Sequence, residues 1–162
     1  MAEKMVEHLL GELSLSDTDT LLDLYCGVGL FSRFLAPGAG RVIGVEASAA
    51  ACEDYGVNLD EFDNVELYEG AAEDILPAFP SRDIHPNGCI VDPPRAGLDR
   101  RVLDALLELQ PGTIAYVSCD PSTLARDAKR LIAGGYRLKQ VTPFDLFPQT
   151  YHIEAIAVFE RG

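Results

Sequence analysis

The sequence is short of positive charge and of long apolar stretches. Its 13 lysines and arginines stand against 26 aspartates and glutamates, which gives a formal net charge of −13. Because a phosphate backbone is bound by positive surface, this balance argues against a chain that binds nucleic acid by itself. No apolar run approaches the roughly 18 residues that a membrane-spanning helix needs, and residues 1–11 lack the layout of a signal peptide. These absences predict a cytoplasmic protein without a membrane partner.

Cysteine is also scarce, and its placement excludes two common uses of the residue. The four cysteines form no C-x-x-C pair and show no zinc-like spacing with the three histidines, so no metal site is predicted. Their dispersal and the lack of a secretory signal favour reduced thiols. A free cysteine is usually a small core residue, which we expect for three of the four. The four are Cys26, Cys52, Cys89 and Cys119.

Short apolar runs alternate with longer helical segments along the whole chain, without repeats or an internal linker. This alternation predicts an α/β fold in one domain over residues 1–162, with a Rossmann-like, seven-stranded, mostly parallel sheet and helices on both faces. Because no helix separates the last two strands, they should form an antiparallel C-terminal hairpin joined by a loop over 144–152. The polar, proline-containing segment 77–87 is predicted to be a surface loop. The predicted strands are 21–25, 41–45, 65–68, 88–91, 113–117, 136–143 and 153–160, and the predicted helices are 5–13, 30–35, 47–59, 100–109 and 122–133.

A first group of polar residues and glycines follows the first two predicted strands, where an open α/β sheet binds its ligands. Gly27 and Gly29 allow a sharp turn close to a ligand, and Glu46 has roughly the 20-residue spacing of a ribose-binding carboxylate. The alternative is an ordinary tight turn with a solvated charge. Only a dinucleotide brings a pyrophosphate, and the third glycine of its G-x-G-x-x-G fingerprint is missing. The pattern therefore favours S-adenosylmethionine over a nicotinamide cofactor.

A second group follows the later strands. The two prolines of the Asp92-Pro-Pro-Arg95 segment make a rigid turn, in which the carboxylate could accept hydrogen bonds and Arg95 could pair with a phosphate. Cys119 precedes a predicted helix, whose macrodipole favours a reactive thiolate. Glu154 is either an edge charge or a placed base. The alternatives are a capping aspartate in a proline-rich turn and a structural cysteine, and spacing alone does not decide between them.

Taken together, four segments resemble the successive motifs of the RNA uracil-5-methyltransferase family. They occur in the family's order and cover nearly the whole chain from Leu21. The resemblance implies transfer of a methyl group from S-adenosylmethionine to C5 of a uridine in RNA, with Cys119 as the nucleophile and Glu154 as the base. The segments are 22–29 (LDLYCGVG), 92–97 (DPPRAG), 116–127 (YVSCDP followed by TLARD) and 147–154 (FPQTYHIE). The implied cofactor contacts are Tyr25, Gly27, Gly29, Leu30, Glu46, Ala71 and Asp92, and Arg95 is the implied substrate contact.

The resemblance also has departures. Leu30 and Ala71 stand where relatives often carry a polar residue such as Asn or Asp. Segments 123–127 and 147–152 are similar to the ribosomal RNA branch more than to the transfer RNA branch. Family members are longer, with an N-terminal RNA-binding barrel and a Phe-x-Gln-x-Asn stretch that are absent here, so we expect a catalytic domain only. A local basic rim, or else a set of solvated helix faces, is formed by Arg95, Arg100, Arg101, Arg126, Lys129 and Arg130.

Three other functions remain open at this point. The first is a cofactor-binding domain fragment without independent activity, which the acidic charge favours. The second is a nicotinamide-dependent Rossmann oxidoreductase, which the glycine spacing disfavours. The third is a methyltransferase that acts on exocyclic nitrogens through the Asp-Pro-Pro element and needs neither Cys119 nor Glu154.

Overall fold

The computed structural model describes residues 2–145 and 153–162, which contain a single seven-stranded sheet. The strands are β1 (Thr20–Leu24), β2 (Arg41–Glu46), β3 (Val65–Glu69), β4 (Gly88–Val91), β5 (Thr113–Ser118), β6 (Tyr136–Phe144) and β7 (Glu154–Arg161). Their order across the sheet is β3-β2-β1-β4-β5-β7-β6. The first five strands are parallel, whereas β7 runs antiparallel to both of its neighbours. The mostly parallel sheet and the antiparallel C-terminal hairpin are confirmed; the loop and motif over 146–152 lie outside the described residues.

Helices cover both faces of this sheet, as predicted. They are α1 (Ala2–Leu13), α2 (Leu30–Leu35), α3 (Ala49–Asn58), α4 (Ala72–Ile75), α5 (Arg100–Leu109) and α6 (Pro121–Ala133). Helices α1, α2 and α3 pack on one face, and α4, α5 and α6 pack on the other. Alternate residues of each strand feed the two cores because successive side chains point to opposite faces. Helix α3 begins two residues later than predicted because the Ser48 side chain caps it, accepting a hydrogen bond from the Ala51 amide.

The surface loop predicted over 77–87 is wrong in one respect. The segment contains two short 3-10 turns, Leu76–Ala78 and Pro80–Arg82, which follow directly on α4. Phe79 is fully buried and Ile84 nearly so, and both belong to the core beneath α5. Each proline occupies an early position of its turn, where a missing amide hydrogen costs nothing. The polar composition of the segment therefore did not indicate that Phe79 and Ile84 belong to the hydrophobic core on this face of the sheet.

None of the helices in residues 2–145 or 153–162 has the length and apolar character needed to cross a membrane.

Candidate active site

The polar residues predicted from the sequence lie along one edge of the sheet. The carboxyl ends of the parallel strands place Tyr25, Glu46 and Asp92 there. Because β7 is antiparallel to β5, the start of β7 lies at the same edge. Ser118 pairs with Ala155, so Cys119, the next residue after Ser118, and Glu154, the residue before Ala155, lie at the same end of the two paired strands. The antiparallel hairpin is thus what joins two distant stretches of sequence.

A strained turn follows β1. Tyr25, Gly27 and Gly29 all have positive φ values, of 61°, 55° and 89°. A Cβ atom at Gly29 would overlap a Leu59 methyl group, and the φ of this residue is positive, so glycine is favoured at this helix start. The Glu46 carboxylate accepts one hydrogen bond from the Gly27 amide (2.9 Å) and another from the Ser48 amide (2.8 Å). Glu46 therefore fixes the turn, a role that spacing did not predict.

Next to this turn is the first of three cavities, here called the glycine-turn cavity, with a volume of about 300 Å³. Three carboxylates reach it, those of Glu46, Glu73 and Asp99. Burial, followed by the negative charges of Glu73 and Asp99, raises the pKa of Tyr25 to about 12, so its hydroxyl stays protonated. The rest of the lining consists of Tyr25, Val45, Ala47, Gly70, Ala71, Ala72, Pro94 and Gly97. The few polar groups in this concave, otherwise apolar lining suit a ligand with hydroxyl and amino groups.

Asp23 is a component that the sequence reasoning missed. It is fully buried, and one carboxylate oxygen accepts a short hydrogen bond (2.6 Å) from the Ser32 hydroxyl. The other oxygen has no partner among the described residues. Burial is the main reason that the pKa of Asp23 is raised to about 6. The signal that could have found it is an acid in the middle of an otherwise apolar strand, Thr20–Leu24.

Asp92 lies in a second cavity, here called the Glu154 cavity, of about 230 Å³. Its side chain is accessible to solvent but sits in a concave cleft. The protein atoms around the carboxylate in this cleft keep part of the water away from it, and this desolvation, followed by the charges of Asp23 and Glu154, raises the pKa of Asp92 to about 7. Leu30 lines the same cavity, where its side chain offers only apolar contact. The full lining is Ala2, Met5, Leu30, Phe31, Asp92, Val117 and Glu154.

Cys119 lines a third cavity, here called the Cys119 cavity, of about 330 Å³. This cavity is mostly apolar and is completed by Ser118, Pro121, Leu124, Val141, Ile153 and Ala155. Ile153 and Ala155 face the thiol, whereas Glu154 between them faces the neighbouring cavity, as alternation along a strand requires. The thiol and the carboxylate therefore line adjoining cavities on the two sides of the start of β7.

The accessible thiol is set apart from the other three. All four cysteines are free, and only Cys119 is partly exposed, which confirms the expectation of three core cysteines. Burial raises the pKa of the Cys26 and Cys89 thiols, so those two are poor nucleophiles. The Asp120 side chain caps α6 by accepting hydrogen bonds from the Ser122 and Thr123 amides, at 2.8 and 3.2 Å. Cys119 therefore lies just before a well-capped helix N-terminus, as predicted.

The predicted basic rim is partly engaged within the chain. Arg95 is exposed in the turn that follows Asp92. Arg101 pairs with Asp74 at 3.1 Å, and Arg100 lies 3.8 Å from Asp104. Arg126 bonds to its buried neighbour, Asp127. Of the other two rim residues, Lys129 and Arg130, both are exposed on α6. For Arg100, Arg101 and Arg126, these ion pairs favour the alternative of charged helix faces over a dedicated phosphate surface.

A family model described as tRNA (uracil-5-)-methyltransferase matches residues 1–161. The chain belongs to this family. It is 44% identical over 141 residues to an uncharacterized RNA methyltransferase of Oceanobacillus iheyensis, an overlap that covers 86% of this chain and 31% of that protein. A relative with the same description from Halalkalibacterium halodurans is 43% identical over 149 residues, covering 91% of this chain and 32% of the relative. The chain thus spans about a third of the length of these curated relatives.

One similar solved structure belongs to the same family. It is the tRNA (uracil-54, C5)-methyltransferase of Pyrococcus abyssi in complex with S-adenosyl-L-homocysteine. The two folds superpose with a TM-score of 0.82 at 34% identity, covering 98% of this chain and 38% of the other. The resemblance and the Rossmann-like methyltransferase fold are therefore confirmed, and the oxidoreductase alternative gains no support.

Proposed function

We propose that this chain is the catalytic domain of a longer RNA methyltransferase that transfers a methyl group from S-adenosylmethionine to C5 of a uridine. The observation that carries the proposal is the pairing of β5 with β7, which places Cys119 and Glu154 in adjoining cavities at the ligand-binding edge. The reaction needs two groups of these types at neighbouring ring atoms, C6 and C5. A methyltransferase acting on exocyclic nitrogens would need neither.

The residues at the glycine turn fit the proposed cofactor. Each Glu46 oxygen accepts one backbone hydrogen bond, so lone pairs remain for the two hydroxyls of a ribose. The unpartnered oxygen of Asp23 supplies negative charge beside Asp92, where a sulfonium or ammonium group would be stabilised. Ala71 lies in the cavity wall without a polar side chain, so its backbone groups would make any contact there. The Leu30 side chain would offer only apolar contact.

The chain's own residues perform the two steps that frame the transfer. The Cys119 thiolate bonds to C6 of the uracil, and the electron pair of the C5–C6 double bond moves toward C5 and O4. S-adenosylmethionine, when bound, supplies the electrophilic methyl group that C5 accepts. The Glu154 carboxylate then takes the proton from C5, the double bond re-forms, and the thiolate leaves C6. Arg95, exposed beside Asp92, is the proposed contact to the RNA phosphate.

The acidic charge of this chain assigns RNA binding to the remainder of the longer protein. A net charge of −13 repels a phosphate backbone, and Arg100, Arg101 and Arg126 of the basic rim are paired with acids. The target base must also be unstacked before the thiol can reach it. Among RNA classes we propose ribosomal RNA, on the wording of residues 123–127 and 147–152, and transfer RNA is the alternative that the test must include.

The test is covalent trapping with 5-fluorouridine, which carries fluorine in place of the proton that Glu154 removes. The longer protein that contains this chain is incubated with S-adenosylmethionine and 5-fluorouridine-substituted ribosomal or transfer RNA, and adducts are resolved on denaturing gels. We expect an adduct with one RNA class, which Cys119→Ala abolishes and Cys52→Ala, a change at a buried thiol, preserves. An adduct that survives Cys119→Ala, or none from the wild-type protein with either RNA, would contradict the proposal.

A second candidate function concerns the 162-residue chain alone. The net charge of −13 favours a domain that binds the cofactor without turning over RNA. Calorimetric binding of S-adenosylhomocysteine by this chain, together with trapping only in the longer protein, would support that candidate.

A further inference from the structure

Asp127 of α6 is the most completely bonded buried charge in the described residues, and the mechanism above does not use it. Its side chain is fully buried. One carboxylate oxygen accepts hydrogen bonds from the Leu98 amide (2.8 Å) and the Tyr116 hydroxyl (2.7 Å). The other accepts from the Arg126 guanidinium (3.0 Å). These four residues are called the Asp127 network here.

One arm of the network holds the wall of the glycine-turn cavity. Arg126 also donates to the carbonyl oxygens of Ala96 (2.8 Å) and Leu98 (3.4 Å), so α6 grips this loop from both sides of Gly97. Gly97 lines the cavity and has a φ of +77°. A Cβ atom there would meet both Arg126 Nη2 and Asp127 Oδ2 at 2.6 Å. The network therefore requires glycine at this point, and it fixes the position of the cavity wall.

The other arm reaches the reactive thiol. Tyr116 lies on β5, three residues before Cys119, and α6 begins two residues after Cys119. The Ser118 hydroxyl bridges the short turn between them, donating to the Asp120 carbonyl (2.9 Å) and accepting from its amide (3.1 Å). Hydrogen bonds thus join strand, turn and helix, and the Asp127 carboxylate links them to the loop over 94–98.

We propose that Asp127 is a positioning residue, which transmits occupancy of the glycine-turn cavity to the position of Cys119. The inference rests on the proposed function, because it takes the cavity to be the cofactor site. A ligand that contacts the Gly97 wall would bias the network, and by linkage the state of the thiol would bias ligand binding equally. An enzyme built this way keeps its nucleophile in the reactive position only when the cofactor is present.

The test measures alkylation of Cys119 by iodoacetamide, with and without saturating S-adenosylhomocysteine, followed by mass spectrometry of the peptides. Tyr116→Phe removes one hydroxyl without changing the ring, and Asp127→Asn keeps the shape but turns an amide toward Arg126. The matched control is Asp104→Asn, which alters an exposed pair with Arg100. Calorimetry on each protein establishes saturation, and circular dichroism establishes folding.

We expect the ligand to change the alkylation rate of the wild type and of Asp104→Asn by about five-fold or more. In Tyr116→Phe and Asp127→Asn the rate should become nearly independent of the ligand, although both still bind it. Direct shielding of the thiol by the ligand would give the same factor in all four proteins and would overturn the inference, as would an unchanged rate in the saturated wild type. If the wild type binds no S-adenosylhomocysteine, the proposed function fails first and this inference with it. Should Asp127→Asn not fold, Tyr116→Phe decides.

Discussion

The glycine-turn cavity and the Cys119 cavity have nearly the same size but very different linings. Their volumes are about 300 and 330 Å³. Three carboxylates and a tyrosine reach the first, whereas the second offers mostly aliphatic side chains around one thiol. Polar groups select a ligand by its hydroxyls and amines, while an apolar slot accepts a flat ring and leaves a nucleophile weakly solvated. The difference favours binding of the cofactor in the glycine-turn cavity and of the uracil ring in the Cys119 cavity.

Two buried aspartates, one on each side of the molecule, differ in whether both of their carboxylate oxygens are hydrogen-bonded. Asp23 and Asp127 are both fully buried. Asp127 has partners at both oxygens, but Asp23 leaves one oxygen without any in the described part of the chain. A buried charge with hydrogen bonds at both oxygens stabilises the fold, whereas a buried oxygen without one calls for an explanation, for which the cofactor's positive group is proposed above. The predictions below test what each side of the molecule contributes to catalysis, stability and ligand binding.

The largest expected effect follows from Glu154→Gln in the longer protein. Without a base, C5 keeps its proton and the thiol cannot leave, so turnover with ordinary RNA should fall by about 10²–10⁴-fold while a methylated covalent adduct accumulates. Binding of S-adenosylhomocysteine, whose proposed ribose contacts lie in the glycine-turn cavity, should change far less than turnover. Methyl incorporation and denaturing gels measure the two outcomes. Glu160→Gln, at the far end of β7, is the matched control; equal losses in both variants would contradict the assigned role.

The next effect concerns stability on the side of the satisfied aspartate. Asp127→Ala leaves Leu98, Tyr116 and Arg126 without their common acceptor. Because the Leu98 amide and the Tyr116 hydroxyl are buried, the free energy of unfolding should fall by about 2–5 kcal/mol. Urea denaturation followed by circular dichroism measures the change. Asp120→Ala removes a helix cap instead and should cost about 1 kcal/mol. A loss at Asp127 no larger than this would show that the network does not stabilise the fold as expected.

Asp23, the aspartate with an unbonded oxygen, should lower the free energy of unfolding when it is ionised, so its effect depends on pH. The pKa of Asp23 is about 6 in the folded protein against an ordinary value of 3.8, so the folded state holds the proton more tightly. Its contribution to the free energy of unfolding is fully present below pH 4 and falls by about 3 kcal/mol as the pH rises through 6. Asp23→Asn should therefore flatten this part of the pH profile measured by urea denaturation. A profile unchanged by the substitution would show that another group titrates.

Features that depend on residues near one another in the sequence could be predicted, whereas features that depend on contacts between distant residues could not. The glycine turn, Asp92 and Cys119 each follow a strand, and parallel strands end at a common edge, so pattern alone predicts that they meet. The strands themselves were found within one or two residues for the same reason, since apolar runs and helix caps are local signals. The family resemblance identified the methyltransferase from those same segments.

The parts that escaped prediction depend on contacts between distant residues. Phe79 and Ile84 become core only because α5 packs over them, and the polar composition around them concealed this. Glu46 was predicted as a ligand contact, but its bond to the Gly27 amide is visible only in three dimensions. Arg126 looked like part of a basic rim until its partner Asp127 was found inside the protein. Side-chain pairing of this kind carries no periodic signal in the sequence.

The smallest effect is expected for Glu46→Gln, and it tests the separation from the cofactor side. Each carboxylate oxygen of Glu46 accepts one hydrogen bond, from the Gly27 or the Ser48 amide, and could accept another from a ribose hydroxyl. Glutamine keeps one of these acceptor oxygens but loses the other and the negative charge. A charge-assisted hydrogen bond contributes about 1.5–3 kcal/mol, so the affinity for S-adenosylhomocysteine should fall about 10- to 100-fold by calorimetry. Glu69→Gln is the matched control because Glu69 pairs with Glu46 across β2 and β3 but lies outside the cavity. Alkylation of Cys119 in the absence of ligand should be the same in both variants and in the wild type. A slower reaction in Glu46→Gln alone would mean that a change in the glycine-turn cavity affects the Cys119 thiol even without ligand. The two cavities would then differ in their linings but would not act independently.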